Sequence, residues 1–185
     1  MFHIIQTIDY ALFAYINHLP HPMWLVTTAR FITNLGTLGV LWWSLALGIL
    51  FANGARGMRT FWLIISGLLT EVVVNGGIIK HLVMRPRPYS TPDLYYLTFW
   101  DTGWKDTAFM SGHSMTAFAC AVIIATMYPK TRLAVYPAAV LIAFSRVYLG
   151  SHFPTDVISG SIIGVVIGLV ILHINKKYLP QLPKK

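Results

Sequence analysis

Apolar residues run in five long stretches, over residues 31–52, 60–83, 108–128, 133–149 and 157–174. A helix needs about 20 apolar residues to cross the hydrocarbon core of a bilayer, so each stretch is read as a spanning helix. The second is broken by Glu71, Asn75 and Lys80, and a polar, aromatic-rich connection over 84–106 separates it from the third. Residues 4–19 follow a different pattern. Ile4, Ile8, Leu12, Ile16 and Leu19 share one helical face while Gln6, Asp9 and Asn17 lie away from it, the period expected of an amphipathic helix lying in the interface. A short sixth span is the competing reading. The expected fold is all-α, a polytopic membrane bundle of five or six transmembrane helices with that amphipathic or short spanning helix at its amino end.

Composition supports a bilayer as the solvent. Of 185 residues 56% are hydrophobic and only 11% charged, with mean hydropathy +0.62. A water-soluble domain carries about 25% charged residues. No internal repeat, low-complexity tract or linker divides the chain, so residues 1–185 are expected to form a single membrane domain. The amino terminus shows neither a basic leader nor a small-residue cleavage site, and no removable signal peptide is expected. Cys120 is the one cysteine, which excludes an intrachain disulfide.

The net charge of +8 would suggest nucleic acid in a soluble protein, but in a membrane protein cations must first be sorted by side. Arg56, Arg59, Lys130, Arg132, Lys176, Lys177, Lys184 and Lys185 fall on short connections and the tail that share one face. That face is expected to be cytoplasmic, and no nucleic-acid partner is expected. Arg30, Lys80, Arg85, Arg87, Lys105 and Arg146 lie on or near the other face.

Three segments converge on that second face. In KHLVMRPRP, Lys80 ends the second span, and the two prolines force extended backbone at Arg85 and Arg87. In MSGHS, Ser111, Gly112 and His113 open the third span, where backbone N–H groups attract anions. In SRVYLGSHFPTD, Ser145 and Arg146 close the fourth span, His152 sits in the turn, and Pro154 and Asp156 begin the fifth. Lysine and arginine at a membrane edge are commonly snorkelling anchors; it is the joint order and spacing that suggests phosphate chemistry. Arginine gives planar donors to phosphate oxygens and lysine adds a compact charge. Of two histidines, a neutral one serves as nucleophile or base and a protonated one as acid, with a carboxylate to orient one of them. Glu71 and Asn75, four apart inside a span, are read as interhelical hydrogen-bonding groups in preference to a catalytic or transport role.

Taken together, the chain resembles the type 2 phosphatidic acid phosphatase family, which includes bacterial undecaprenyl-diphosphate phosphatases. The first family motif, Lys, six residues, Arg-Pro, is matched by Lys80 and Arg87-Pro88. The third, Ser-Arg, five residues, His, three residues, Asp, is matched by Ser145-Arg146, His152 and Asp156. The middle motif, Pro-Ser-Gly-His, is matched at Ser111, Gly112 and His113, with Met110 in place of proline. The motif-bearing core covers about residues 60–174. The resemblance implies a hydrolase that uses no metal and no cofactor. In it His152 attacks phosphorus, Asp156 fixes the imidazole tautomer, and His113 protonates the leaving oxygen and later activates water. Lys80, Arg87 and Arg146 clamp the phosphoryl oxygens, helped by Ser111 and the Gly112 N–H. Arg85 is a cation the motif does not demand. The implied substrate is a lipid phosphate or diphosphate at the extracytoplasmic face of the inner membrane: undecaprenyl diphosphate, phosphatidylglycerophosphate, phosphatidate or lipid A 1-phosphate. The aromatic segment 89–104 is expected to sit at the interface and to cover the site.

Three other readings stand beside this one. Vanadium-dependent haloperoxidases share the motifs but are soluble. A transporter or lipid-binding protein could use a basic vestibule, although it would have no evident need for the His152–Asp156 pair and no paired interrupted spans are seen. A zinc site built from His113, His152 and Asp156 is the third.

Overall fold

The computed structural model describes residues 2–91 and 107–178, which are helical with no strand among them. The helices are α1 (Phe2–Asn17), α2 (Met23–Gly36), α3 (Val40–Ala52), α4 (Gly54–Thr70), α5 (Lys80–Val83), α6 (Gly112–Met127), α7 (Arg132–Tyr148) and α8 (Pro154–Tyr178). A π-helical stretch, Glu71–Ile79, joins α4 to α5 without a break. Tyr95, Tyr96, Phe99, Trp100 and Trp104, the aromatics expected at the interface, lie outside the described residues. So do the charges at Asp93, Asp101, Lys105, Asp106, Lys184 and Lys185. Met23–Ala52, Gly54–Ser90 and Pro154–Tyr178 are each long and apolar enough to cross a membrane, while Gly112–Met127 is apolar but shorter.

Shortness suits α6, because it is the central helix rather than a lipid-facing one. It is buried along nearly its whole length, and α8 packs along it through glycine. Gly160, Gly164 and Gly168 recur every fourth residue, and a Cβ on any of them would run into the α6 backbone carbonyls of Ser111, Met115 or Ala119. Small residues at this spacing let two helix backbones approach closely. The approach brings the amino end of α6 against that of α8, where the Ser111 N–H donates to the Asp156 carbonyl at 3.1 Å. Around this pair a core of Trp42, Ile64, Ile123, Ile124 and Ile142 joins α3, α4, α6 and α7. Leu47, Phe51, Leu133, Leu141, Ile158 and Ile162 are exposed on the outer faces, a distribution that suits hydrocarbon as the surrounding solvent.

Two local features depart from the apolar pattern. The stretch 31–52, read as one span, is two helices separated by a 3-10 turn at Thr37–Gly39, where Leu38 and Gly39 take positive φ of 51° and 70°. Hydropathy reports how apolar a stretch is and is blind to the left-handed residues that interrupt it. In α1 the apolar positions Ile4, Ile8 and Leu12 face outward, and the polar Asp9 and Asn17 are buried at 2% and 0% exposure. The apolar stripe faces outward, as an interfacial helix would turn it to lipid, but the polar positions opposite it face protein rather than water. In a bilayer polar groups need protein partners.

The two ends of the bundle differ in chemistry. At one, Arg56 donates to the Met127 carbonyl and Arg59 to Asn175. At the other, Lys80, Arg85, Arg87, His113, Arg146 and His152 gather.

Candidate functional site

The third motif folds as a helix end, a tight turn and a helix start. Gly150, at φ +78°, turns the chain after α7. The Arg146 carbonyl then accepts from the Ser151 and His152 N–H groups at 2.9 and 3.2 Å. This doubles the chain back so that Arg146 and His152, six residues apart, line one cavity. Pro154 occupies the first position of α8, and Asp156 in the first turn accepts from the Phe153 N–H at 2.9 Å through Oδ2.

His152 is buried at 2% exposure, and its two nitrogens face opposite charges. Arg87 donates through Nη1 to the Ser151 carbonyl at 3.0 Å and lies 3.2 Å from His152 Nε2. A guanidinium only donates, so Nε2 is the lone-pair nitrogen and Nδ1 carries the proton. Nδ1 lies 3.7 Å from Asp156 Oδ2, beyond hydrogen-bond reach by roughly 0.5 Å or more. Among the described residues Nδ1 has no side-chain hydrogen-bond partner within reach. Burial first, and then the Arg87, Arg146 and Lys80 charges, hold the imidazole well below its ordinary pKa, against a smaller opposing effect from the Ala108 backbone. Asp156 itself is fully buried.

The middle motif starts α6. The Ser111 side chain caps the helix by accepting from the Ser114 N–H, and the Ser114 hydroxyl donates to it at 3.0 Å. This is the geometry that favours serine at a helix start. Asn75 of the π stretch donates to the Met110 carbonyl at 3.2 Å and to Glu71 at 3.1 Å. The Glu71 carboxylate packs on Gly112 so closely that a Cβ there would have to push it aside. Glu71 and Asn75 therefore bond to each other and, through Asn75, to the loop before α6, which agrees with their reading as interhelical hydrogen-bonding groups. His113 Nε2 lies 3.4 Å from the Thr37 hydroxyl. A Cβ on Gly36 would press on the His113 ring at 3.0 Å, so the turn after α2 shapes this flank. In the first motif Met84, at φ +43°, ends α5, and Arg87 is extended before Pro88 as a residue preceding proline should be.

Lys80, Arg87, Gly112, His113, Arg146 and His152 line one cavity of about 330 Å³. Ser111 and Asp156 sit just behind it, joined by the Ser111 N–H to Asp156 carbonyl bond. The opposite wall is apolar, formed by Leu38, Trp43, Leu68, Leu69 and Val72. Thr33, which donates no motif residue, meets Arg146 Nη1 at 2.7 Å through its hydroxyl. Neither Thr33 nor Asp9 carries a local signal beyond being a polar residue in an apolar helix. A cavity with three cations, two imidazoles, one carboxylate, Glu71, and an apolar flank has a cationic excess suited to a phosphate group carried on a hydrophobic chain.

Comparison with known proteins bears on the same residues. Residues 59–179 match the PAP2 superfamily. A lipid A 1-phosphatase from Rhizobium etli is 32% identical over 60% of this chain and 49% of its own, so the chain spans about half the length of that relative. Phosphatidylglycerophosphatase B from Bacillus subtilis is 30% identical over 83% of this chain and 77% of its own. The crystal structure of a transmembrane PAP2-type phosphatidylglycerolphosphate phosphatase from Bacillus subtilis superimposes with a TM-score of 0.73 at 25% identity, covering 95% of this chain and 88% of that one. The chain belongs to the PAP2 superfamily, in the branch built as a membrane helix bundle.

Proposed function

We propose that the protein is a lipid phosphatase that hydrolyses a terminal phosphate monoester or diphosphate of a membrane lipid through a phosphohistidine on His152. The observation that carries this reading is the one cavity in which His152, with Nε2 facing Arg87, shares its walls with His113, Lys80, Arg146 and an apolar flank. Nε2 attacks phosphorus as the bond to the leaving oxygen breaks, and His113 gives that oxygen its proton. His113 then takes a proton from water, whose oxygen attacks the phosphohistidine, releasing phosphate and restoring the imidazole. Lys80, Arg87, Arg146 and the Gly112 N–H balance the charge on the phosphoryl oxygens, and Ser111 holds the helix start that aims that N–H. The Asp156 carboxylate, 3.7 Å from Nδ1, favours the proton on that nitrogen through its charge. The apolar wall from Leu38 to Val72 receives the first part of the lipid chain. Relatives named for phosphatidylglycerophosphate and for lipid A point to a phosphorylated headgroup as the substrate class. Phosphate release by purified protein from phosphatidylglycerophosphate, undecaprenyl diphosphate, phosphatidate and lipid A 1-phosphate tests the reading, and release from none of them refutes it.

The cations of the protein serve in place of a metal ion, and both Asp156 oxygens are already engaged, Oδ1 by Arg85 and Oδ2 by the Phe153 N–H. Activity is therefore expected to survive excess chelator and to be inhibited by vanadate, which mimics the phosphoryl transition state. Loss in chelator with recovery on adding zinc would instead make His113, His152 and Asp156 metal ligands.

The acid limb of the pH profile follows from the environment of His152. A lowered pKa means the imidazole is protonated, and so loses its nucleophilic lone pair, only at lower pH. The kcat/KM profile should thus fall on its acid side below the ordinary histidine value of about 6.5. Measuring kcat/KM across the acid range checks this, and an acid limb above that value would contradict it.

We place the site on the extracytoplasmic side of the inner membrane, because Arg56, Arg59, Lys130, Arg132, Lys176 and Lys177 collect on the connections and tail away from it. Cysteine at exposed Ser90 in a Cys120→Ala background is expected to react with an impermeant thiol reagent in intact cells, and cysteine at exposed Lys130 is not. The reverse pattern would move the site to the cytoplasmic face.

A further inference from the structure

Asp9 of α1 is buried at 2% exposure and is satisfied entirely by groups next to the proposed nucleophile. Its Oδ1 accepts from the Thr155 N–H at 2.9 Å and its Oδ2 from the Thr155 hydroxyl at 2.6 Å. Arg85, the cation outside the motif, donates through Nη2 to Asp9 Oδ2 and through Nη1 to Asp156 Oδ1, the latter at 2.7 Å. The same guanidinium lies 4.2 Å over the ring of Phe153, which is enclosed by Tyr10 and Phe13 of α1 with centroids 5.1 and 5.3 Å away. One guanidinium is thus shared by two carboxylates, one from each of α1 and α8, and α1 covers the segment from Phe153 to Asp156.

We propose that Asp9 and Arg85 are positioning residues of the site, acting through Asp156 on His152, so that α1 is a working part of the phosphatase. This deepens, and rests on, the phosphohistidine reading above. The cluster of Asp9, Arg85 and Asp156 carries two negative charges and one positive, leaving a net negative charge on the Nδ1 side of His152. Lys80, Arg87 and Arg146 stand around the cavity on its other side. Without Asp9, Arg85 would pair with Asp156 alone and neutralise it, weakening the carboxylate that faces Nδ1. Arg85 would also lose one of the anchors that fix its plane, keeping the Thr155 hydroxyl and Asp156, and the restraint on Asp156 Oδ1 that keeps Oδ2 toward the imidazole would loosen.

The test is a double-mutant cycle on the single-turnover rate of phosphoryl transfer from an aryl phosphate, using the full chain. Asp9→Asn is expected to lower kcat by roughly 10- to 100-fold, as loss of an orienting partner behind a working histidine does, with KM little changed. In an Asp156→Asn background the same change should cost little further, because its path to His152 is already cut. Asn17→Ala, which removes the α1 hydrogen bond to the Tyr148 carbonyl, is the control for loosened docking and should leave kcat near wild type. Arg85→Lys should retain more rate than Arg85→Ala. Full additivity of Asp9→Asn with Asp156→Asn, or an equal kcat loss in Asn17→Ala, would overturn the proposal and leave α1 a structural brace. The imidazole ¹⁵N shifts of His152 give a readout that needs no turnover. They should move in Asp9→Asn and stay in Asn17→Ala, so an inactive wild type would refute the phosphatase reading while this coupling was still decided.

Discussion

His152→Ala is expected to reduce turnover by roughly 10⁴-fold or more, the scale on which removal of a covalent nucleophile acts. No other imidazole can take its place. His113 Nε2 is turned to the Thr37 hydroxyl from the α6 side of the cavity, and His21 stacks on Tyr148 with ring centroids 4.4 Å apart. Folding should be spared, because the turn that carries the side chain is held by backbone bonds to the Arg146 carbonyl. Phosphate release by the purified, normally inserted variant checks this. Retention of more than a few per cent of wild-type activity would show that the nucleophile lies elsewhere.

Asp156→Asn is expected to cost somewhat less, about 10²- to 10⁴-fold in kcat, since the nucleophile remains but the proton on Nδ1 is no longer enforced. The amide presents either an oxygen or an NH₂ group to Nδ1. The Phe153 N–H on Oδ2 and Arg85 on Oδ1 both require acceptors, so one of these donors must meet the NH₂. Steady-state kinetics on a lipid substrate reads the effect. Equal activity of Asp156→Asn and wild type would mean that the carboxylate serves only to start α8.

Much of this molecule is legible in its residue order because lipid imposes simple rules. Long apolar stretches have to be helices, and the ends of α5, α7 and α8 were found from Lys80, Arg146 and Pro154. The three motifs stand out by their joint order and spacing, since single cations at a membrane edge are ordinary anchors. What escaped were features set by backbone and by packing between distant segments. The break at Leu38 and Gly39 lies in a stretch of uniform apolarity. The glycines 160, 164 and 168 carry a readable four-residue spacing, but their effect depends on which helix they meet. Asp9 was placed on the polar face of an interfacial helix, since a periodic stripe does not say whether water, lipid or protein lies on either side. Its true partners, Arg85 and Thr155, are 76 and 146 residues away.

The central claim is that the phosphoryl group passes through His152, and the direct measurement is to trap it there. Purified protein mixed with a substrate labelled in its terminal phosphate and quenched in alkali, in which a phosphohistidine survives, should carry label on the peptide containing His152 at times shorter than one turnover. The label should accumulate further when His113, the group proposed to activate water, is replaced and an aryl phosphate is used. Label absent from wild type and from His113→Ala, while phosphate is still released, would mean direct attack by water and would contradict the account.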